Sequence, residues 1–264
     1  MLLSGFADIY EPLYKAYKNS FNKGIVKRRI TKLSTKSTPV TKDTFGFCTS
    51  IASVYSSKIE GEVIELDSYI KHKFLSVTYV ADYTKKPDDL FGAYDFARKN
   101  KLNQGNIFHA HGLLSKHLLT SNKRGRVRTQ QMFIMAKNKQ IEYVAADASI
   151  VKPEYKKLMN DLNELIDEDL ALDEIFFYAS MMHLLFVKIH PLYDGNGRTG
   201  RLFEKWFLAQ KLGEAAWNIE SERYYYENIN VYYKNLQQLG LRYEILDNSK
   251  ALPFTQLLVK SLAL

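Results

Sequence analysis

Hydrophobic positions recur at helical spacing along most of this chain and at strand spacing in one place. Tyr10, Leu13, Tyr14 and Tyr17 lie three and four apart, which predicts a short amphipathic helix within residues 1–20. Residues 21–43 are basic and rich in Ser, Thr and Lys with little periodicity, so a loop or irregular arm is expected there. Small and apolar side chains at Ile51, Ala52, Val54, Tyr55 and Ile59 predict a helix that stops at Gly61, since glycine best tolerates the left-handed turn that closes a helix. Residues 72–105 are mixed: 85–90 reads as a turn into a helix over 91–100, with Asp88 or Asp89 as its cap. Ile107, His111, Leu114, His117 and Leu118 then predict a helix within 106–119.

The period changes at 125–145, where β-favouring runs flank Lys137-Asn138-Lys139 and predict a hairpin. Helical spacing returns in 152–168 through Tyr155, Leu158, Met159, Leu162 and Leu165. It continues over 172–189, with a wide apolar face made by Ile175, Phe176, Ala179, Met182, Leu185 and Phe186. Pro191 can end that helix, and Leu202, Phe203, Trp206 and Phe207 predict another that begins near Gly197. Residues 221–239 are aromatic-rich and again helical in spacing, and no internal repeat occurs. The expected fold is mainly α with one β-hairpin. Residues 190–197 form a loop between two buried helices.

That loop, within HPLYDGNGRTGR (190–201), concentrates the chemistry. Gly195-Asn196-Gly197 lets the backbone turn with positive φ and points the free N–H groups of a new helix at whatever lies above them. Such an end attracts phosphate, and Arg198 and Arg201 share a face of its first turns, adding two guanidinium forks. Asp194 is a hard oxygen ligand of the kind Mg²⁺ takes when it also holds substrate phosphates, and His190 can act as a base near neutral pH. Taken singly, each has a plainer explanation: a capped core histidine, an ordinary turn, a solvated arginine pair. Their joint spacing reads as a seat for a nucleotide polyphosphate with Mg²⁺, beside a base for an attacking hydroxyl.

The stretch resembles the signature of the Fic family, HxFx(D/E)GN(G/K)RxxR, at every fixed position but one: Leu192 stands where the family has Phe and is expected to pack in its place. The resemblance covers roughly residues 46–264. It implies a protein adenylyltransferase that moves AMP from ATP to a hydroxyl side chain of a target protein. His190 would be the general base, Asp194 the Mg²⁺ ligand, and Gly195, Asn196, Gly197, Arg198 and Arg201 the phosphate cradle. Ser56 and Glu60, four apart on one helix face and followed by Gly61, resemble the (S/T)xxxE(G/N) motif of Fic proteins that carry an N-terminal inhibitory helix, here about 47–61. In that reading Glu60 occupies Arg201, the guanidinium meant for the γ-phosphate.

The resemblance also implies that Met132, Phe133 and Ile134 lie on the flap whose edge receives the target segment as an added strand, and that Tyr232 and Tyr233 stack on adenine. Residues 252–264 resemble the closing helix of the family core. The expected division is an N-terminal helix and basic arm over 1–45, followed by the Fic-like domain over 46–264. Removal of AMP, phosphate transfer and non-catalytic nucleotide binding remain open as alternatives, although Gly197 argues against phosphate transfer, whose relatives carry Lys there.

Bulk properties narrow the partners. At 264 residues, 46% hydrophobic and 25% charged, the chain is ordinary for a globular protein with one large core. No run approaches the roughly 20 apolar residues that span a bilayer. The start, with an early acid and no basic region before a long apolar run, reads as unexported, hence an expected cytoplasmic location without membrane association. Cys48, the only cysteine, excludes intrachain disulfides and cysteine-built zinc sites. His109, His111 and His117 invite a metal reading, but the motif needs no transition metal. The balance of 37 Lys+Arg against 29 Asp+Glu includes basic clusters at 27–29 and 123–126. This reads as a basic soluble surface and not as a nucleic-acid site. The expected cofactors are ATP and Mg²⁺; the expected partners are a target protein and the chain itself, with a homodimer allowed.

Overall fold

The computed structural model describes residues 7–35, 44–80, 82–135 and 140–263. Helix α1 (Ala7–Ser20) lays Leu13 and Tyr17 into the core, and Tyr14 donates to Asp173 Oδ2 at 2.7 Å. The expected irregular arm is corrected over most of its length: α2 (Lys23–Thr35) is a helix, started where Asn22 Oδ1 accepts from Ile25 N at 3.0 Å. Its apolar positions Val26, Ile30 and Leu33 do keep helical spacing, hidden in the sequence among five intervening or flanking cations. The rest of that arm, 36–43, lies outside the described residues.

Helix α3 (Thr44–Ile59) is buried on almost every side. It closes as the apolar pattern predicts: Gly61 takes φ 89°, Gly61 N donates to Lys58 O and Glu62 N to Ser57 O. This double closure is the Schellman arrangement that glycine permits. Helix α4 (Leu66–Leu75) occupies a stretch to which the pattern assigns nothing. Helix α5 (Lys85–Lys99) begins six residues earlier than the pattern predicts, because Pro87 fits a first turn where no N–H is needed. Neither Asp88 nor Asp89 caps it. Asp88 accepts from Tyr69 and Lys73, while Asp89 accepts from His117 N. Helix α6 (Gln104–Leu114) stops before His117 and Leu118, which lie in the turn that follows.

Strands β1 (Phe133–Met135) and β2 (Ile141–Val144) pair antiparallel with Ile134 opposite Tyr143. The expected turn at Lys137-Asn138-Lys139 lies outside the described residues. The hairpin is moored by Tyr143, whose hydroxyl donates to Lys188 O at 2.9 Å. Helices α7 (Val151–Asp167) and α8 (Leu172–Ile189) follow, and α8 has exactly the predicted span. Its first turn is held by Glu174, which accepts from Ala171 N at 2.7 Å.

Helix α9 (Asn196–Leu212) packs along α8, and the pair forms the centre of the molecule. The aromatic stretch predicted as one helix is broken at Asn228 into α10 (Ser221–Glu227) and α11 (Ile229–Gln237), with Asn228 Nδ2 donating to Tyr224 O. Helix α12 (Leu252–Ser261) closes against α8 and α1. The fold is therefore mainly helical with one small hairpin. No helix among the described residues is long and apolar enough to cross a membrane.

Candidate functional site

The site forms where α8 ends and α9 begins. His190 closes α8 in the left-handed region, at φ 53°, a conformation that costs a branched or ring-bearing residue about 1 kcal/mol and needs support. Arg128 supplies it. This buried guanidinium donates through Nε to His190 O at 2.7 Å and through its two Nη groups to Gln130 O and Ala146 O. The backbone beside it joins in, with Arg128 N donating to Pro191 O and Val127 bridging Leu192. Leu192 is fully buried, so it does pack where the family pattern has a larger ring.

Two side chains pin the rest of the loop. Asn196 accepts from Leu192 N at 2.9 Å and donates to Leu192 O at 2.8 Å, which spends its amide on the loop itself. His111 accepts from Gly125 N through Nδ1, so its Nε2 carries the proton it donates to Asp194 O at 2.9 Å. Burial holds this imidazole neutral by lowering its pKa. Asp194 is exposed, and one of its carboxylate oxygens accepts from Gly195 N. Gly195 begins α9 at φ 73°, as the turn requires.

His190 itself donates through Nδ1 to Val187 O at 3.2 Å, which leaves the Nε2 lone pair available. Burial, with the positive charge of Arg128 added, lowers its pKa to about 4 against the smaller opposing effects of Val187 O, Glu60 and Asp194. The ring is a neutral acceptor at physiological pH. It lines a pocket with Gly197, Arg201, Glu60, Ile134, Tyr232 and Tyr233.

Glu60 enters this pocket from the end of α3. Its Oε1 accepts from Arg201 Nη2 at 2.7 Å, while Ser56 accepts from Arg201 Nε at 2.8 Å and from Nη2 through its carbonyl. Two of the three Arg201 guanidinium nitrogens, Nε and Nη2, are thus taken up by one turn of α3. Desolvation works against the Glu60 charge, but Arg201 and Arg198 outweigh it and hold the carboxyl below its ordinary range. Because 28% of the Glu60 side chain stays accessible, this ion pair is open to solvent at its rim. Gly197 makes room for it: a Cβ there would collide with Glu60 Oε1.

Arg198 is met by a second acid, Glu62, at 3.3 Å, and Glu62 is shared with Lys86 at 2.6 Å. Arg198 Nε is buried with no hydrogen-bond partner. Lys188 is another buried cation of this pocket; its Nζ lies 4.0 Å from the Tyr143 ring centroid, and burial lowers its pKa to about 8. The pocket lining itself balances Arg201 and Lys188 against Glu60 and Glu142. Among the described residues no group of three acids, His or Cys could cage a metal. Asp194, exposed on the loop, is the carboxylate that could hold a Mg²⁺ brought in on phosphates.

The expected Tyr pair divides. Tyr232 is buried, stacked on Tyr225 at 5.2 Å, and its hydroxyl meets His183 Nε2, so only part of its ring borders the pocket. Tyr233 is 36% exposed and donates to Ile59 O at 3.0 Å, tying α11 to the last turn of α3. On the hairpin, Ile134 lines the pocket, Phe133 is exposed, and Met132 O accepts from Ala145 N; among the described residues the outer edge of β1 is unpaired. His109, His111 and His117 are not gathered: His109 stacks on Phe96 and His117 pairs with Asp89. Sequence reasoning passes over Arg128's clamp, Lys188 and Glu62. Of these only Glu62, an acid two places past Glu60, has a signal in the chain.

Residues 101–208 match the model of the Fic/DOC family. No curated protein matches the sequence. Among solved structures, the chain is similar to a Fic family protein from Desulfovibrio desulfuricans G20 (TM-score 0.73, 19% identity, covering 92% of this chain and 72% of that one). It is also similar to a Fic domain containing signalling protein from Bacteroides thetaiotaomicron VPI-5482 (0.69, 15%, covering 91% and 93%). A Fic-1 fragment from C. elegans aligns as well (0.67, 17%, covering 97% and 72%). At such identities it is the fold that is shared. A Fic/DOC family match running from α6 through most of α9 lies on a fold shared with these Fic-domain structures, so the chain resembles that family in its central segment and has its fold.

Proposed function

We propose that the protein transfers AMP from Mg·ATP to a hydroxyl side chain of a target protein, and that Glu60 holds it inactive. One observation carries this reading: an internal carboxylate already sits on Arg201 and against Gly197, beside a neutral imidazole. A seat that an acid from far upstream can fill is a seat for an anion, and a triphosphate is the anion that suits a helix end with two arginines.

In the reaction, the target hydroxyl attacks the α-phosphorus while His190 Nε2 takes its proton. The bond to the bridging oxygen breaks and pyrophosphate leaves. Val187 O holds the imidazole in the tautomer this needs. Arg198 and Arg201 balance charge on the phosphates, and the N–H groups at the start of α9 add theirs. Mg²⁺, held by Asp194 on the phosphate chain, would neutralise charge on the leaving group. Tyr233, the more open ring of its pair, and Ile134 border the space for the base. The free edge of β1 suits the target segment as an added strand. While Glu60 stays on Arg201, the γ-phosphate lacks its partner and meets a like charge.

The test is labelling with ATP radioactive at the α-phosphorus, with wild type, Glu60→Gly and His190→Ala compared on the chain itself and on cell protein. Glu60→Gly should label strongly, wild type weakly and His190→Ala not at all. Equal labelling by wild type and Glu60→Gly sinks the restraint, and label entering only from the γ-position moves the reaction to phosphate transfer. A second reading, removal of AMP, is favoured by the charged Glu60 carboxylate beside the base, where it could orient water. Loss of AMP from a labelled protein with wild type but not Glu60→Gly would select it.

A further inference from the structure

A second concavity lies on the other side of the segment that braces His190. It is a groove of about 760 Å³ between residues 125–129 and the start of α7, within the range of side-chain-accepting sites. Arg126, Lys152 and Lys156 rim it, all exposed, and no acidic side chain lines it. Lys152 and Lys156 are four apart on α7 and so share a face, an arrangement of like charges that weakens an isolated helix. None of the three rim cations has an ion-pair partner among the described residues. Its floor is formed by Phe108 and the largely buried ring of Tyr155, whose hydroxyl is buried without a hydrogen-bond partner.

The 125–129 wall of the groove is bonded to the loop that carries His190. Val127 bridges Leu192, Arg128 N donates to Pro191 O, and Thr129 Oγ1 lies 3.1 Å from Tyr193 Oη. Thr129, at the edge of the groove, is thus within hydrogen-bond reach of Tyr193 on the loop that carries His190.

We propose that this groove docks an acidic segment of the protein being modified, holding it by charge while a nearby hydroxyl reaches His190. Its role as a substrate dock rests on the transfer reading above. Three unpaired cations over an aromatic floor complement alternating acidic and apolar side chains. A nucleic acid is less suited: Phe108 and Tyr155 pack on one another, 5.5 Å between centroids, and do not offer the open stacking faces that single strands use.

The test separates binding from chemistry. A short fluorescein-labelled peptide with one Thr flanked by Asp, Glu and Leu is titrated into full-length His190→Ala protein and followed by anisotropy. It should bind, weaken with added salt, and lose about tenfold in affinity when Arg126→Glu, Lys152→Glu and Lys156→Glu are combined. Thermal melting checks that the triple variant is folded; should it not be, Lys152→Ala with Lys156→Ala gives the same comparison. Unchanged affinity in the variant, equal binding of a peptide with Asn and Gln in place of the acids, or tighter binding of a single-stranded oligonucleotide overturns the proposal. Self-labelling of Glu60→Gly from α-labelled ATP is read alongside. Labelling without peptide binding removes the dock and keeps the transfer reading; binding with no labelling of the chain or of cell protein removes the transfer reading and, with it, the groove's role as a substrate dock.

Discussion

His190 illustrates how one position can be set by neighbours that its own sequence context does not reveal. Its ring nitrogen Nδ1 is committed to Val187 O, its backbone is held by Arg128, and burial drives its pKa from 6.5 to about 4. A depressed histidine favours folding fully above 6.5, and that contribution is lost as pH falls toward 4, because the unfolded chain then binds the proton that the folded chain refuses. NMR titration of the wild-type imidazoles, with His190→Ala to assign the signal, should therefore show this ring neutral down to about pH 4. A midpoint near 6.5 would mean that the ring is solvated. Gly197 makes a complementary point: its φ is not in the left-handed region, and a Cβ there would meet the tip of the Glu60 side chain, which would have to swing aside.

Among the elements, α3 is the one that brings acids onto the arginines of α9. Its closure at Gly61 places Glu60 and Glu62 on the same side of the helix end, and each meets a different arginine of α9. Ser56 takes Arg201 one turn earlier. The far side of that turn is tied by Tyr233, which donates to Ile59 O. Removing this hydrogen bond with Tyr233→Phe costs the docked position about 1 kcal/mol, a shift of up to about fivefold toward release. Self-labelling should rise accordingly, well short of Glu60→Gly. No rise would mean that α3 is held by Ser56 and Glu60 alone. The hairpin is placed by comparable means, through Tyr143 onto the end of α8, so both borders of the pocket hang from the central helix pair.

For the molecule as a whole, occupation of the seat and stability are linked. If Glu60 and a nucleotide compete for Arg201, Mg·ATP should raise the melting temperature of Glu60→Gly more than that of wild type. At a hundredfold excess over its dissociation constant a ligand adds about 2.7 kcal/mol of stability, easily read by differential scanning fluorimetry. An equal shift in both proteins would show that nucleotide binds without displacing Glu60. The acid–arginine contacts cross long stretches of chain, 141 residues from Glu60 to Arg201 and 136 from Glu62 to Arg198, so they join the first third of the described chain to the centre.

The amino-acid sequence alone determined what depends on near neighbours. The span of α8, the stop of α3 at Gly61, the hairpin and the loop from His190 to Arg201 all follow from residues within a few positions of one another, where period, turn preference and capping act. Local pattern failed where it was diluted or overruled. The cations of 27–32 masked α2, Pro87 in a first turn hid the start of α5, and Asn228 broke a helix whose spacing looked continuous. The tertiary structure alone decided which helix faces meet. A period reports that a face exists but not its partner, because docking depends on shape and charge brought together across the chain. Arg128 reaching the carbonyl of His190, Glu62 reaching Arg198, and the basic groove behind them exist only once those faces have packed.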